Sequence, residues 1–184
     1  MAVDADGNVY LADTGNKRIV VTDNEGNYLY QWGAEGSDAG KFNEPTGIAF
    51  DSGGNAYVAD TWNGRVQVFP RDMDNRVSPI PIVTWSISGW DPDTYLDPSI
   101  GVHPDGIVYA SVPARHSVLT ANMRGDILLR WGGEGSDMAS LNSPAGVAVG
   151  PDGAVYVVDR ASSRVLRFEV PPVRMSGGGD EEEE

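Results

Sequence analysis

Three pairs of aspartate and arginine, each with the same five-residue spacing, are the groups in this sequence best placed for charge chemistry. The pairs are Asp13 with Arg18, Asp60 with Arg65, and Asp159 with Arg164. This spacing brackets a hairpin turn, so the carboxylate can accept turn N–H bonds and pair with the guanidinium that begins the next strand. In the unit that contains Tyr109, the aligned positions are Val112 and Ser117, so both charged partners are absent together. This is expected, because a charge that lost its partner would be poorly compensated. Because catalysis does not need three copies of one pair, we predict a structural role.

Metal binding and acid–base catalysis have weaker support. The segment from Asp4 to Asn8 resembles the start of a calcium loop, but no glutamate completes it and the same turn recurs in later units. The two histidines, His103 and His116, have no histidine partner at metal-ligand spacing. Cysteine is absent, which excludes thiolate chemistry. We therefore predict no catalytic residue, no metal site and no cofactor, and expect that the chain is not an enzyme.

Trp62 is the best candidate for a binding residue. It follows the second strand of its unit, at a position where the first and fourth units carry Gly15 and Ala161. If this position belonged to the core, its side chain would be expected to have a similar size in every unit. An indole at the tip of a loop offers much apolar area with few rotatable bonds, so it can anchor a partner. The alternative is that Trp62 packs onto the neighbouring hairpin.

An internal repeat supplies the elements that position these residues. Tyrosines 10, 57, 109 and 156 align, at separations of 47, 52 and 47 residues. Each unit reads as short apolar strands bounded by Asp, Asn or Gly, and a period of this length is typical of propeller blades. We predict an all-β propeller of about four blades, followed by a disordered tail rich in Pro, Gly and acidic residues. The predicted blades span residues 1–46, 47–99, 100–145 and 146–170, and the tail spans 171–184.

The repeated phrases resemble the NHL repeat. Residues 45–51 match its Pro-x-Gly-Ile-Ala-Val-Asp opening, and residues 60–69 match its Asp, small or polar turn, and Arg-Val-x-Val-Phe. The resemblance covers nearly the whole chain up to Val170 and is looser between residues 78 and 99. In that looser stretch, residues 84–90 resemble a blade of the C-terminal propellers of some bacterial polytopic membrane proteins. The resemblance implies a ring of typically six blades, so we expect an incomplete propeller here.

Composition limits the partners. The chain of 184 residues carries 27 acidic and 13 basic side chains, for a net charge of −14. This balance offers no basic footprint for nucleic acid, and no apolar run reaches membrane length, so we predict neither nucleic-acid binding nor membrane insertion by this chain. The sequence leaves open whether the partner is a protein or a small ligand, and open blade edges would allow self-association. The sequence does not indicate a compartment.

Three functional hypotheses follow. We expect an interaction or scaffolding module without chemistry of its own, forming part of a larger protein. A second hypothesis is a fragment of a propeller enzyme of the lyase or lactonase type, which the resemblance implies would use histidines and a metal at the channel mouth. A third is an extracytoplasmic appendage of a membrane enzyme.

Overall fold

Four antiparallel sheets form the protein, each with its strands paired in chain order. The computed structural model describes residues 1–90, 97–135 and 137–169, and the structural statements below concern these residues. Blade A contains β1 (Ala2–Val3), β2 (Val9–Asp13), β3 (Arg18–Thr22) and β4 (Tyr28–Trp32). Blade B contains β5 (Pro45–Phe50), β6 (Ala56–Asp60), β7 (Arg65–Phe69) and β8 (Val83–Ser86). Blade C contains β9 (Ile100–Val102), β10 (Val108–Val112), β11 (Ser117–Ala121) and β12 (Ile127–Gly132), and blade D contains β13 (Pro144–Val149), β14 (Val155–Asp159) and β15 (Arg164–Phe168).

This architecture confirms the predicted all-β propeller with four blades. In the described residues no strand of blade D pairs with blade A, so the sheets do not close a ring. The predicted tail and the end of the fourth unit at Val170 lie outside the described residues. No helix in the described part of the chain has the length and apolarity needed to cross a membrane.

The core lies between the blades. Side chains alternate across each strand, so the middle strands of one blade bury one set against the preceding blade and the other set against the following blade. In β6, Val58 packs in the cluster shared with blade A, while Tyr57 and Ala59 pack in the cluster shared with blade C. A third cluster, which includes Leu141 and Val157, joins blades C and D. Every blade therefore depends on its neighbours for burial.

Two kinds of turn recur at opposite ends of the strands. Between the first and second strands, a glycine with φ between 78° and 86° donates its N–H back across the turn; these are Gly7, Gly54, Gly106 and Gly153. Between the second and third strands, a three-residue 3₁₀ turn ends at a residue in the left-handed region. The recurring Asp and Arg flank this second turn. The segment that connects the outer strand of one blade to the inner strand of the next lies at the same end as the 3₁₀ turns, as shown by the hydrogen bond from Trp62 N to Asn43 O.

Arg71 joins blades A and B at the other end. Its guanidinium donates to the carboxylates of Asp4 (2.6 Å) and Asp6 (3.0 Å), which lie in the first turn of blade A. The Asp4 side chain is only 2% exposed, and it also accepts a hydrogen bond from the hydroxyl of Tyr10. Burial opposes ionisation of Asp4, but the hydrogen bonds from Asn8 and Tyr10 and the charge of Arg71 outweigh it, so the pKa of Asp4 is lowered. The segment that resembled a calcium loop is thus a turn whose carboxylate is bonded within the protein.

Arg71 is not among the residues predicted from the sequence. A signal was available in the length of the connection between the third and fourth strands, which spans residues 70–82 in blade B but only 23–27 in blade A and 122–126 in blade C. This longer turn allows Arg71 to reach the neighbouring blade.

Replacing Arg71 by methionine tests this inter-blade contact. Arg71→Met leaves the Asp4 carboxylate buried without its cation, so we expect the free energy of unfolding to fall by about 2 to 4 kcal/mol in urea titrations. Arg124→Met is the matched control, because Arg124 is exposed in the equivalent region of blade C, and it should change stability by less than about 0.5 kcal/mol. Equal effects of the two substitutions would contradict a specific role of Arg71.

Candidate functional site

Asp60 lies at the centre of the most extensive polar site in blade B. Its carboxylate is fully buried at the end of β6. One oxygen accepts the backbone N–H of Asn43 at 2.7 Å, and the other accepts the Nε–H of Arg65 at 2.6 Å. Side-chain amides of Asn63 and Gln67 donate to the second oxygen as well. Asp60 therefore binds both its own hairpin and the chain that arrives from blade A.

Arg65 also binds the chain that arrives from blade A. Its two terminal nitrogens donate to the carbonyl oxygens of Ser37 (2.7 Å), Asp38 (2.9 Å) and Lys41 (2.9 Å). These residues belong to the segment that connects β4 to β5. We call an Asp–Arg pair at this position an Asp–Arg clamp, and the chain it can hold the connecting segment, which spans residues 33–44 before blade B and 133–143 before blade D.

Blade D repeats the arrangement. One oxygen of the buried Asp159 accepts the N–H groups of Asn142 and Ser143, both at 2.8 Å, and the other accepts Arg164 Nε–H at 3.1 Å. Arg164 also donates to the carbonyl of Ser140 at 2.7 Å. Burial favours the neutral acid, but the two backbone donors, with smaller contributions that include Arg164, outweigh it and lower the pKa of Asp159.

Blade A has the same pair in a different environment. Arg18 Nε–H donates to Asp13 at 2.7 Å, but the side chains are 35% and 28% exposed. Asp13 accepts its remaining hydrogen bonds from the side chain of Asn16, and Arg18 donates to Gln31 in its own blade. The hydrogen bonds from Arg18 and then Asn16 lower the pKa of Asp13. In the described residues no connecting segment lies in this clamp.

Blade C uses neutral groups where Val112 and Ser117 replace the pair. Ser111 Oγ accepts the N–H of Ser99 at 2.8 Å and donates to Ala145 O at 3.0 Å. The indole N–H of Trp90 donates to Ser111 O at 2.8 Å. The structure thus brings all three predicted Asp–Arg pairs into contact and shows that blade C, which lacks the pair, bonds its neighbours through neutral groups. Their structural role remains a prediction.

Trp62 lies at the tip of the 3₁₀ turn of blade B, beside the connecting segment. The residue is 38% exposed. The ammonium group of Lys17, from the equivalent turn of blade A, lies 5.9 Å from the ring centroid and forms an ion pair with Glu44. Trp62 therefore contacts the neighbouring turn and still presents apolar surface. Both readings of Trp62 from the sequence are compatible with this geometry.

The two histidines lie at opposite ends of the strands. His103 is in the first turn of blade C, where its Nδ1 is 3.3 Å from the Asp105 carboxylate. His116 follows the 3₁₀ turn of the same blade, and its Nδ1 is 3.0 Å from Asn142 O. Within the described residues, no group of three or more His, Cys, Asp or Glu side chains is arranged to hold a metal ion.

A cavity of about 330 Å³ lies between blades A and B, at the end that carries Arg71. It is lined by Asp4, Asp51 and Arg71, by the strand residues Val3 and Phe50, and by small residues of the two turns. The carboxylates of Asp4 and Asp51 are bonded within their own turns, while Arg71 Nε is buried without a hydrogen-bond partner. We assign no ligand to this cavity.

Comparisons with known proteins identify the repeat. Residues 42–69 and 141–168 match the NHL repeat, so the resemblance seen in the sequence is confirmed. No curated protein sequence matches the chain at a significant level.

Solved structures share the fold. Virginiamycin B lyase from Staphylococcus aureus superposes with a TM-score of 0.59 at 16% identity, over 92% of this chain and 54% of the enzyme. Dihydro-heme d1 dehydrogenase NirN gives a TM-score of 0.58 at 12% identity, over 95% of this chain and 35% of that chain. An auxiliary nutrient binding protein from Bacteroides thetaiotaomicron gives a TM-score of 0.60 at 15% identity, over 88% of this chain and 44% of that chain. The chain therefore spans about half, or less, of the length of these structures.

These comparisons correct one expectation. The inference from motifs and fold that the chain is not an enzyme is wrong, because structures with this fold include a lyase and a dehydrogenase. The physical reason is that the repeat motifs describe strands and hairpins, whereas the chemistry of a propeller is carried by side chains of its turns and connections, which vary independently of the strands.

Arg65→Ala and Arg18→Ala form a matched pair of tests of the clamp. Arg65→Ala removes the cation of a fully buried carboxylate and the donors to three carbonyls, so it should lower the free energy of unfolding by about 1 to 3 kcal/mol. Arg18→Ala breaks an exposed pair and should cost less than about 1 kcal/mol. Thermal or urea unfolding measures both. Equal losses would show that the arriving segment adds nothing to the clamp.

The lowered pKa of Asp159 gives a pH dependence with a definite sign. A carboxyl whose pKa is lower in the folded state stabilises the fold above its ordinary pKa of 3.8, and this contribution is lost as pH falls through the folded value. The unfolding free energy of the protein should therefore decrease between about pH 5 and about pH 3, and Asp159→Asn should weaken that decrease. Asp74→Asn, at an exposed carboxylate, is the control and should retain the wild-type slope. An unchanged slope for Asp159→Asn would contradict the assignment.

Proposed function

We propose that this NHL-repeat propeller is a binding module whose contact surface is the end of the blades that carries Trp62. This surface, the Trp62 face, consists of the four 3₁₀ turns and the connecting segments. The observation that carries the proposal is the exposed indole of Trp62, at a position where the other three turns carry Gly15, Ala114 and Ala161.

The surroundings of Trp62 support an anchoring role. Its backbone N–H is bonded to Asn43 O, and its ring lies beside Lys17, which is itself paired with Glu44. A side chain held in place before binding loses little conformational entropy when a partner arrives, and tryptophan is enriched among residues that dominate binding energy. The pairing of Lys17 with Glu44 also keeps the region around the indole close to neutral.

The net charge restricts the partner. With a net charge of −14, the chain repels polyanions at long range. The proposed partner is therefore a neutral or basic protein segment or a small apolar ligand. A flat aromatic side chain on a mixed-charge surface suits either class.

A second candidate is part of a propeller lyase, favoured by the superposition on virginiamycin B lyase over 92% of this chain. A catalytically inactive variant of that enzyme is known in complex with quinupristin, which supplies a probe. Incubating the full chain with quinupristin and following its mass and chromatographic mobility tests the candidate. Conversion that is lost in His116→Ala or His103→Ala would support it, and no conversion by the wild-type chain would contradict it.

Trp62→Ala tests the binding module. Compounds and peptides are first screened against the isotope-labelled chain by the NMR shift of the Trp62 indole N–H. For a ligand found in this way, Trp62→Ala should weaken binding by about 2 kcal/mol or more, because the anchor is lost, while the unfolding free energy changes by less than about 1 kcal/mol.

Met138→Ala provides the control on the same face. Met138 is exposed in the connecting segment before blade D, and its truncation should leave affinity nearly unchanged. Ligands that bind without moving the Trp62 resonance would contradict the proposal. A loss of stability with intact binding in Trp62→Ala would show instead that the indole serves packing.

A further inference from the structure

Two arginine side chains come together in blade C, at the place where the other blades hold an Asp–Arg pair. In blades A, B and D the second strand ends in aspartate and the third strand begins with arginine. In blade C the corresponding residues are Val112 and Ser117. The cations come from other positions, because Arg115 belongs to the 3₁₀ turn and Arg130 to β12. Blade C therefore has two guanidinium groups at this place and no aspartate.

Arg115 lies beside Val112, and a glycine makes room for it. A Cβ added to Gly89 would lie 2.7 Å from Val112 Cγ1 and 3.1 Å from Arg115 Nε, so both groups approach the glycine backbone closely. Gly89 has a φ of 104°, which side-chain-bearing residues rarely adopt. The guanidinium also reaches the segment that connects blade B to blade C, where its Nη2–H donates to Ser88 Oγ at 2.7 Å.

Arg130 approaches the same place from the outer strand. It has the register position in β12 that Gln31 has in β4. Gln31 accepts a hydrogen bond from Arg18, whereas Arg130 Nη1–H donates to Ser117 Oγ at 3.3 Å. Burial of part of the side chain, and then the positive charge of Arg115, lower the pKa of Arg130. The second cause shows that the two cations interact.

The charges of Arg115 and Arg130 are not balanced within the described residues. The arginines of the three Asp–Arg pairs lie 2.6 to 3.1 Å from a carboxylate oxygen. In the described ranges, by contrast, no carboxylate forms an ion pair with Arg115 or Arg130. Each guanidinium has five N–H donors in a planar fork, and only one of them donates to a described residue. An anion with several oxygens would accept the remaining donors and reduce the repulsion between the two cations.

We propose that Arg115 and Arg130, together with the hydroxyl groups of Ser88 and Ser117, form a binding site for the phosphate group of a small ligand. A phosphate monoester carries about two negative charges at neutral pH, which matches the two cations, and its terminal oxygens suit guanidinium forks. The net charge of −14 opposes a polyanion such as nucleic acid, so the ligand is a small molecule. The site lies one blade away from Trp62 and does not depend on binding there.

Glycerol phosphate is the probe, titrated into the full isotope-labelled chain at constant ionic strength and about pH 7. It should bind at one saturable site and shift the Nε–H signals of Arg115 and Arg130. Arg115→Gln and Arg130→Gln should each weaken binding at least about tenfold. The matched control is Arg160→Gln, which removes the same charge from the exposed turn of blade D and should leave binding unchanged. Trp62→Ala should also leave it unchanged, so this proposal and the one for the Trp62 face can fail separately.

Acetate at the same ionic strength provides the comparison with a carboxylate, and it should bind at least about tenfold more weakly than glycerol phosphate. Acetate that binds equally well would assign the site to carboxylates and overturn the proposal. The proposal is also overturned if glycerol phosphate gives no saturable shift at millimolar concentration, because the cations are then compensated within the protein. Equal losses in Arg160→Gln and Arg115→Gln would show nonspecific attraction to positive charge and would overturn it as well.

Thermal unfolding checks that the variants remain folded, as expected for two exposed side chains. If one of the two glutamine variants does not fold, the other one and the signals that shift in the wild-type chain decide the outcome.

Discussion

Two buried carboxylates, Asp60 and Asp159, each bond a hairpin to the chain that arrives from the preceding blade. Each has no exposed surface, so its charge must be compensated inside the protein. The compensation comes from the arginine of the same hairpin and from backbone N–H groups of the chain arriving from the preceding blade. One oxygen of each carboxylate accepts N–H groups of the arriving connection, so the hydrogen bonds of the hairpin include the connection. A local turn motif thereby fixes the position of a segment from another blade.

Blade C shows that the underlying requirement is satisfaction of backbone groups, with charge as one means of meeting it. There the aspartate and arginine are both absent, and Ser111 bonds the arriving chain at Ser99 while its carbonyl accepts the indole N–H of Trp90. Loss of only one charged partner would leave a buried ion uncompensated, whereas the neutral set leaves none. The charged and the neutral arrangement can occur in one molecule because each provides hydrogen-bond partners for the arriving chain.

The features that recur along the chain are distinct from the residues that depart from the repeat. Inter-blade clusters and clamps recur from blade to blade, while residues such as Trp62 and Arg71 occur once and depart from the repeat. Proteins that share this fold include a lyase, a dehydrogenase and a nutrient binding protein, so the common framework does not select among chemistries.

The sequence by itself determined the repeat, the strands and the contact within each Asp–Arg pair, because all of these depend on residues a few positions apart in one hairpin. Tertiary structure alone decided which clamps are filled. The donor to Asp60 lies 17 residues upstream in another element, and Arg71 meets Asp4 across 67 residues. Asp13 and Asp60 have the same local motif but different burial, since burial is set by the neighbouring blade. A pattern confined to one hairpin carries no information about that neighbour.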